Sequence, residues 1–361
     1  MLGHLAPSSA VSQRTPVRAS PEVVIPGDGQ GYSMTRVAGI VELRDGGVAL
    51  LLPVERQLLL FGPKGDLRRT VGRSGSGPGE FDAPRLLGAR RDSLWVWDAA
   101  QSRISLFAPD GGFKRTIPVV SAGAGILLDN GQVAIVPLPR YPVTGDASQL
   151  IVVRTYTNRG VLRDSILSRR VRREVLRYIR GNGAVVGMQP FDDGELIVPA
   201  GDGTGIAVIT RAVRPSPPHA YRIEFISPSG RTIYSRTIAY DPRPLTRAHV
   251  QEAIRPLLAG PDSSDPSLPE RVEHALYKPR HLPPVTAAIV GQDGSLWVKR
   301  EASVDSAVIW DVHDKAGVSR HALSLPAACT LLAATASRVW CVQPDDDGVP
   351  KVIGYRIRQA Q

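Results

Sequence analysis

Cysteine, methionine and lysine are all scarce. Two Cys and three Met in 361 residues exclude a disulfide-built scaffold, and no paired Cys/His spacing offers a structural zinc site. Only six of the 44 basic residues are lysine, so the net charge of +10 is carried by arginine. Arginine scattered this way reads as a solvated surface rather than a nucleic-acid footprint. Only residues 168–180, SRRVRREVLRYIR, gather it. No apolar run approaches the roughly 18 residues that span a membrane. The seven histidines, at 4, 219, 249, 274, 281, 313 and 321, fall at no ligand spacing. A Gly-x-Ser-x-Gly elbow and a phosphate-binding loop are missing too. The Gly-rich stretch 72–79, GRSGSGPG, does not run from a strand into a helix and reads as a link between repeats. Residues 1–20 are Pro/Ser-rich without the apolar centre of a secretory signal. They read as a disordered tail or a truncated leader, leaving 21–361 as one domain.

What is abundant is turn chemistry. The chain has 35 Gly and 31 Pro beside 42% hydrophobic residues, the mixture of an all-β protein with many tight turns. Residues 77–117 set the pattern. Apolar runs at 85–88, 93–97, 103–107 and 113–117 are separated by Gly, Pro, Asp and Ser, giving four strands in about 40 residues. Such a meander cannot bury both faces alone and needs copies of itself. A polar turn followed by an apolar second strand recurs from Asp45, Asp92, Asn130, Asp193, Asp293 and Ala336. A second turn, between third and fourth strands, follows Phe61, Phe107, Tyr156, Ile226 and Val312 and closes at Gly65, Gly111, Gly160, Gly230 and Gly317. The sixth copy ends at 352–357 without a fourth strand, and the early run 22–25 is placed to supply it. The expectation is a six-bladed β-propeller of four-stranded antiparallel blades, closed by an N-terminal strand.

The second unit, GPGEFDAPRLL…DSLWVWDAAQSRISLFAPDGGFKRTI, resembles an NHL-type propeller repeat. The residues that carry the likeness are Gly79, Glu80, Phe81, Pro84, Leu94, Trp95, Val96, Asp98, Arg103, Ile104, Phe107, Asp110 and Gly111. The other units keep the turn-and-strand skeleton and lose the Glu-Phe and Asp signatures. The resemblance implies the fold from about Gly31 onward. It implies no particular activity, since such propellers include binding platforms, extracytoplasmic proteins and a few enzymes.

Added sequence falls at two kinds of connection only. The second-to-third-strand links lengthen at 138–149 and 201–219, the blade-to-blade links at 168–183 and 240–281. In a meandering blade both emerge on the same face, so one face is trimmed and the other carries loops, where binding usually resides. The largest insert, about 244–280 between blades 4 and 5, reads as helical. Thr246 caps a helix over Arg247–Leu258, and Ser267 with Glu270 forms a capping box for a second helix to about Tyr277. The 168–180 run reads as a third helix, with Val171, Val175, Leu176 and Ile179 on one side. Cys329 and Cys341 flank a hairpin turn near 334–337 and fall opposite each other. They read either as a disulfide, in an exported chain, or as two small buried thiols.

A channel cation, as in propeller lactonases and esterases, needs several carboxylates on the inner strands. Glu42 is their only carboxylate, and the acidic loop 345–348 lacks a full Ca²⁺ pattern. At the mouth of the looped face the candidate ligand-binding residues are Arg73, Arg85, Asp98, Lys278, Arg280 and His281. The reading is a non-catalytic, extracytoplasmic, monomeric platform binding a protein, peptide or glycan, with no cofactor or metal and with nucleic acid as a distant third. The alternative is a metal-dependent hydrolase or lyase with a divalent cation in the channel.

Overall fold

The computed structural model describes residues 16–119, 123–137, 148–172, 174–214, 217–260, 264–304 and 307–357. Four separate four-stranded antiparallel sheets follow one another as meanders. The first is Gly39–Glu42, Val48–Leu52, Gln57–Phe61 and Leu67–Val71; the second is Pro84–Arg90, Ser93–Asp98, Arg103–Phe107 and Phe113–Pro118. The third is Ala124–Leu127, Val133–Val136, Ser148–Tyr156 and Leu162–Arg172; the fourth is Leu196–Pro199, Ile206–Arg214, Ala220–Ile226 and Thr232–Ala239. The remaining strands of this kind form one eight-stranded sheet. One half of it is Val285–Val290, Leu296–Val304, Ala307–His313 and Ser319–Pro326, and the other is Thr330–Ala334, Arg338–Pro344 and Pro350–Ile357. Val17–Ile25 joins the halves.

The joining strand changes the count. It pairs antiparallel with the last strand, from Ala19 opposite Ile357 to Ile25 opposite Val352, as expected of a closing strand. It also begins at Val17, earlier than the apolar run at 22–25, and its first residues pair in parallel with the neighbouring half, Val17 with Leu323 and Arg18 with Ser324. Sheets standing alone with four strands therefore number four, not six, because the closing strand fuses the last two meanders.

The meanders pack face to face in chain order. Leu58, Leu60 and Val71 of the first sheet share a core with Leu94, Val96 and Phe107 of the second. Trp95 and Trp97 meet Ile126 and Val133 of the third sheet and Ile206 and Val208 of the fourth. Ile209 and Tyr221 meet Val285 and Val298. Trp297 and Trp310 meet Leu331 and Val339. The last cluster returns to the start, with Ile25, Trp340 and Val352 against Ile40, Leu50 and Leu59. A strand sandwiched between neighbouring sheets buries both faces, which is why Val48–Leu52 is apolar at every position rather than at alternate ones. The recurring third-to-fourth-strand turn is confirmed in conformation: Gly65, Gly111, Gly160, Gly230 and Gly317 all have φ between +74° and +85°. That region excludes Cβ at little cost only for glycine.

Several local readings are corrected. The described residues of 168–180 form no helix; 168–172 belong to the strand Leu162–Arg172 and 175–180 to Val175–Arg180, residue 173 lying outside the described residues. Leu176 and Tyr178 are buried while Arg177 and Ile179 are exposed, a period of two, and the Gly181-Asn182 turn then returns the chain as Gly183–Met188. The run after Asp193, read as a second strand, is the first strand of the fourth sheet, Leu196–Pro199. The segment read as a long link, 201–219, contains the second strand, Ile206–Arg214. Residues 138–147 of the other expected long link lie outside the described residues. Ser267 makes no capping box: its backbone is already helical and its hydroxyl donates to Asp265 Oδ1 at 2.7 Å. Thr246 does, with His249 in the place of the usual Glu or Gln. Cys329 and Cys341 are bridged but not directly opposite, since Cys341 faces Leu331 across the ladder and a bulge follows Leu331.

Burial also makes the fold pH-sensitive. His313, at the end of Ala307–His313, is 3% exposed, and burial holds its pKa down at about 4. Unfolded, the ring takes up a proton near pH 6.5; folded, it stays neutral until well below that. Stability is therefore complete above the unfolded pKa and is lost as pH falls towards the folded one. Between pH 7 and pH 5 the loss should be about 2 kcal/mol. Urea midpoints at the two pH values measure it, and His313→Asn should flatten the dependence.

Candidate functional site on the looped face

The two ends of the array differ. At the short-turn end, hydrogen bonds leap over an intervening sheet. Ala89 N–H of the second sheet donates to Gly201 O of the fourth at 3.0 Å, while Asp129 N–H of the third donates to Gly203 O at 3.0 Å. Gly88 permits this, because a Cβ there would lie 2.2 Å from Gly201 O. On the other side Gln292 Oε1 accepts from Glu42 N–H at 2.6 Å and its Nε2 donates to Glu42 O at 3.0 Å, while Gln292 N–H donates to Ala334 O at 2.9 Å. Contacts that skip a neighbour are possible only where the meanders converge, so these turns lie on the inner side of the array at this end. Glu42, the one inner-strand carboxylate, is also consumed: Oε1 pairs with Arg338 at 3.0 Å and Oε2 accepts from Trp340 Nε1 at 3.2 Å.

The opposite end carries a small lobe with its own core. It comprises the hairpin Val175–Arg180/Gly183–Met188, helix α1 (Arg247–Leu258) and helix α2 (Leu268–Ala275). Leu176, Tyr178, Val250, Ile254, Leu268, Val272 and Leu276 pack together in it. Gln189, 6% exposed, ties the parts: its Nε2 donates to Val175 O at 3.1 Å and Ala275 O at 2.8 Å, and its Oε1 accepts from Tyr277 N–H at 2.8 Å. Arg180 donates to Leu257 O at 3.1 Å and Ala259 O at 2.8 Å, serving carbonyls that the end of α1 leaves open. A groove of about 430 Å³ between hairpin and α2 is lined by Arg177, Tyr178, Ile179, Glu270, Arg271 and His274.

Beneath the lobe, where the fourth sheet meets Val285–Val290, polar groups gather. Arg211 is 5% exposed, pairs with Asp192 at 2.6 Å and reaches Val285 O at 3.3 Å. Tyr277 donates to Asp193 Oδ2 at 3.1 Å; burial and that carboxylate push its pKa up to about 12. Arg243 donates to Glu301 O at 3.1 Å. Burial raises the pKa of the Glu301 carboxyl, opposed by the charges of Arg243, Lys299 and His249. Among the described residues no group of three or more His, Cys, Asp and Glu side chains is placed to hold a metal ion.

The residues singled out in the sequence fall into two places, and no hydrogen bond, ion pair or ring contact links the two among the described residues. At the lead into the second sheet, Asp98 is fully buried and accepts from Asp82 N–H at 2.7 Å, Ala83 N–H at 3.1 Å and Gln101 N–H at 3.1 Å. Arg73 pairs with Glu80 at 2.7 Å, and Arg85 is exposed. At the foot of the lobe, Lys278 pairs with Glu273 at 3.3 Å, Arg280 is exposed, and the His281 ring stands edge-on to His219 at 5.3 Å. Sequence reasoning missed Gln189, Arg211 and Glu301. Each looks ordinary in sequence, and only the approach of distant segments gives it a role.

No protein-family model matches the chain, and no curated protein matches it. Among solved structures, a protein of Bacteroides fragilis described as exported aligns with a TM-score of 0.50 at 11% identity, over 97% of this chain and 98% of that one. A DUF4221 family member from Bacteroides vulgatus gives 0.48 at 10% identity, over 96% and 100%. A catalytically inactive virginiamycin B lyase from Staphylococcus aureus gives 0.39 at 11% identity, over 94% and 96%. Identity at this level speaks for the fold alone. With the topology it defines the class: an all-β protein with a propeller-like array of four-stranded antiparallel sheets.

Proposed function

We propose that this is an extracytoplasmic binding platform, a six-bladed, NHL-like propeller in which each half of the eight-stranded sheet acts as a blade and the looped face receives the ligand. The observation that carries the reading is the asymmetry of the two ends. Short turns bridge one end of the channel, while the opposite end bears the lobe, its groove and the Arg211–Glu301 cluster. The Cys329–Cys341 bridge and the exported neighbour support a compartment outside the cytoplasm. A protein, peptide or glycan is the class of partner, and Lys278, Arg280 and His281 at the foot of the lobe are the predicted residues best placed to touch it. A photo-crosslinking residue at Arg85, Lys278 or Met188 should capture partner, and one at Lys64 or Lys315, in turns of the opposite end, should not. Capture from Lys64 or Lys315 alone would refute the assignment of faces.

The enzyme reading has one observation in its favour. Glu301 is a half-buried carboxyl with a raised pKa at the looped mouth, and among the described residues its side chain makes no hydrogen bond or ion pair. Divalent-cation-dependent turnover of a lactone or ester panel, lost in Glu301→Gln, would establish it over the platform.

A further inference from the structure

We propose that the Gly183–Met188 strand of the lobe is a docking edge for an extended acidic peptide, which adds to the hairpin as a third strand. The proposal rests on the looped face being the binding face and names the partner chemistry.

The register shows which backbone groups are open. Val175 faces Met188, Arg177 faces Val186 and Ile179 faces Ala184. The carbonyls of Val175 and Ile179 are engaged from outside the hairpin, by Gln189 Nε2 at 3.1 Å and Arg271 Nε at 3.1 Å. These pairs are therefore the non-hydrogen-bonded ones, in which both residues direct N–H and C=O away from the partner strand. On the far side, Ala184, Val186 and Met188 thus point their backbone groups outward. Among the described residues no hydrogen bond from outside the hairpin reaches them. One edge is covered by α2 and its flanking link; the other is open.

Proteins usually protect such an edge with lysine, proline, a bulge or a covering loop. The sequence here, GAVVGM, has no charge and no proline, and its pairing runs through all six residues without a register shift. Its exposed face is apolar: Met188 is 66% exposed, Ile179 51% and Val186 44%. An added strand would thus find unpaired main-chain groups for hydrogen bonds and an apolar floor for alternate side chains. That is the pattern of peptide recognition by strand addition.

Charge selects the occupant. Residues 168–188 contain six arginines and one glutamate; Glu174 pairs with Arg172 at 2.6 Å and Arg169 with Glu224 at 2.6 Å, and the segment stays net positive. Arg177 lies on the strand beside the edge strand, about 9–10 Å from an added third strand, a gap that its side chain and a glutamate side chain on the added strand close between them. A second copy of this chain would bring the same positive segment against itself, which disfavours pairing edge to edge. An anionic lipid surface would match the charge, yet headgroups do not supply the alternating donors and acceptors of a strand. An acidic peptide meets both demands.

The test uses the whole chain and a fluorescein-labelled peptide alternating valine and glutamate, read by anisotropy. Binding should weaken with salt, and the matching valine–lysine peptide should not bind. Val186→Pro removes an N–H that the native fold does not use, and should weaken binding roughly tenfold or more at an unchanged melting temperature. Met188→Glu, at an exposed position, should do the same by repulsion, so the proposal remains testable if the proline variant misfolds. Equal binding by both variants, or by the lysine peptide, would overturn it. Binding of phosphatidylglycerol vesicles but not of the peptide would overturn it in favour of a membrane. Sedimentation of a dimer that Val186→Pro dissolves would overturn it in favour of self-pairing. If the variants bind like wild type while looped-face crosslinkers still capture partner, the edge falls and the platform stands. If those crosslinkers capture nothing and the peptide does not bind, both fall.

Discussion

Replacing Arg338 by methionine should loosen the closure of the molecule. The guanidinium reaches Glu22 of the N-terminal strand at 2.7 Å, Glu42 of the first sheet at 3.0 Å and Gly46 O at 3.3 Å, and lies 5.7 Å over the Trp340 ring. Glu22 also pairs with Arg356 at 3.3 Å. One side chain therefore joins the last meander to the strand that completes it and to the sheet that begins the array. Methionine keeps much of the stem packing but strands Glu42, 17% exposed, with only the Trp340 N–H on its carboxylate. Removing one partner of a buried pair costs more than the pair contributes, because the other charge stays desolvated. With these groups at 16–30% exposure we expect a loss of about 2–3 kcal/mol. Urea unfolding measures it, and trypsin should cut at Arg18 sooner as the terminal strand frays. Arg68→Met is the contrast. Its partner Asp45 is 49% exposed, so solvent already screens the pair and that loss should be much the smaller of the two. Equal losses at the two positions would mean that closure does not depend on Arg338.

Arg338 also shows where the sequence was legible and where it was not. Its strand was visible, since Val339, Trp340 and Cys341 follow a polar turn, as in the other repeats. Local turn chemistry repeats because each of the five meanders continuous in the chain closes on the same positive-φ glycine, and that rule is written in five or six consecutive residues. Five of the six buried second strands were legible for the same reason; the fourth was not, because the run after Asp193 is the first strand of its sheet and the second is Ile206–Arg214. The ion triplet was not, because Arg338 lies 316 residues from Glu22 and 296 from Glu42 and meets them only when the array closes. The misreading of 168–180 has a different origin. Val171, Val175, Leu176 and Ile179 satisfy a helical period by chance, while Leu176 and Tyr178 satisfy a strand period. Two competing periods in 13 residues cannot be separated without knowing what covers them, here the lobe's own core. That error displaced the next: once 175–188 is taken out as a hairpin, the first strand of the fourth sheet moves to Leu196–Pro199. The end that bears the lobe followed from the two long links between meanders, because topology fixes which links share a face; the two long second-to-third-strand links did not contribute, since 201–219 holds a strand and 138–147 lie outside the described residues. Its polar clusters, built from Gln189, Arg211 and Glu301, needed coordinates.

Reduction of the Cys329–Cys341 bridge should weaken the same closing meander from within. The cysteines are 12 residues apart, and both are buried, Cys329 at 6% exposure and Cys341 at 0%. Cross-linking a loop of that length restricts the unfolded chain by the equivalent of about 3 kcal/mol. The reduced thiols would remain in an apolar core alongside Trp297, Leu331 and Ile353, so little native-state cost should be added. We expect the Cys329→Ala/Cys341→Ala variant and the wild type under reductant to lose similar stability in urea. An unchanged midpoint under reductant would show that the hairpin is held by packing alone. Coupling gives a sharper test. The bridge and Arg338 act on one hairpin, Thr330–Ala334 with Arg338–Pro344, so their losses should not add. Once either is gone, that hairpin, the strand Pro350–Ile357 beside it and the N-terminal strand beyond fray together, and the second loss then finds part of its cost already incurred. The triple variant should therefore be more stable than the sum of the separate losses requires, by about 1 kcal/mol. Strict additivity would place the bridge and the ion triplet in independent units, and the closing meander would then not behave as one clasp.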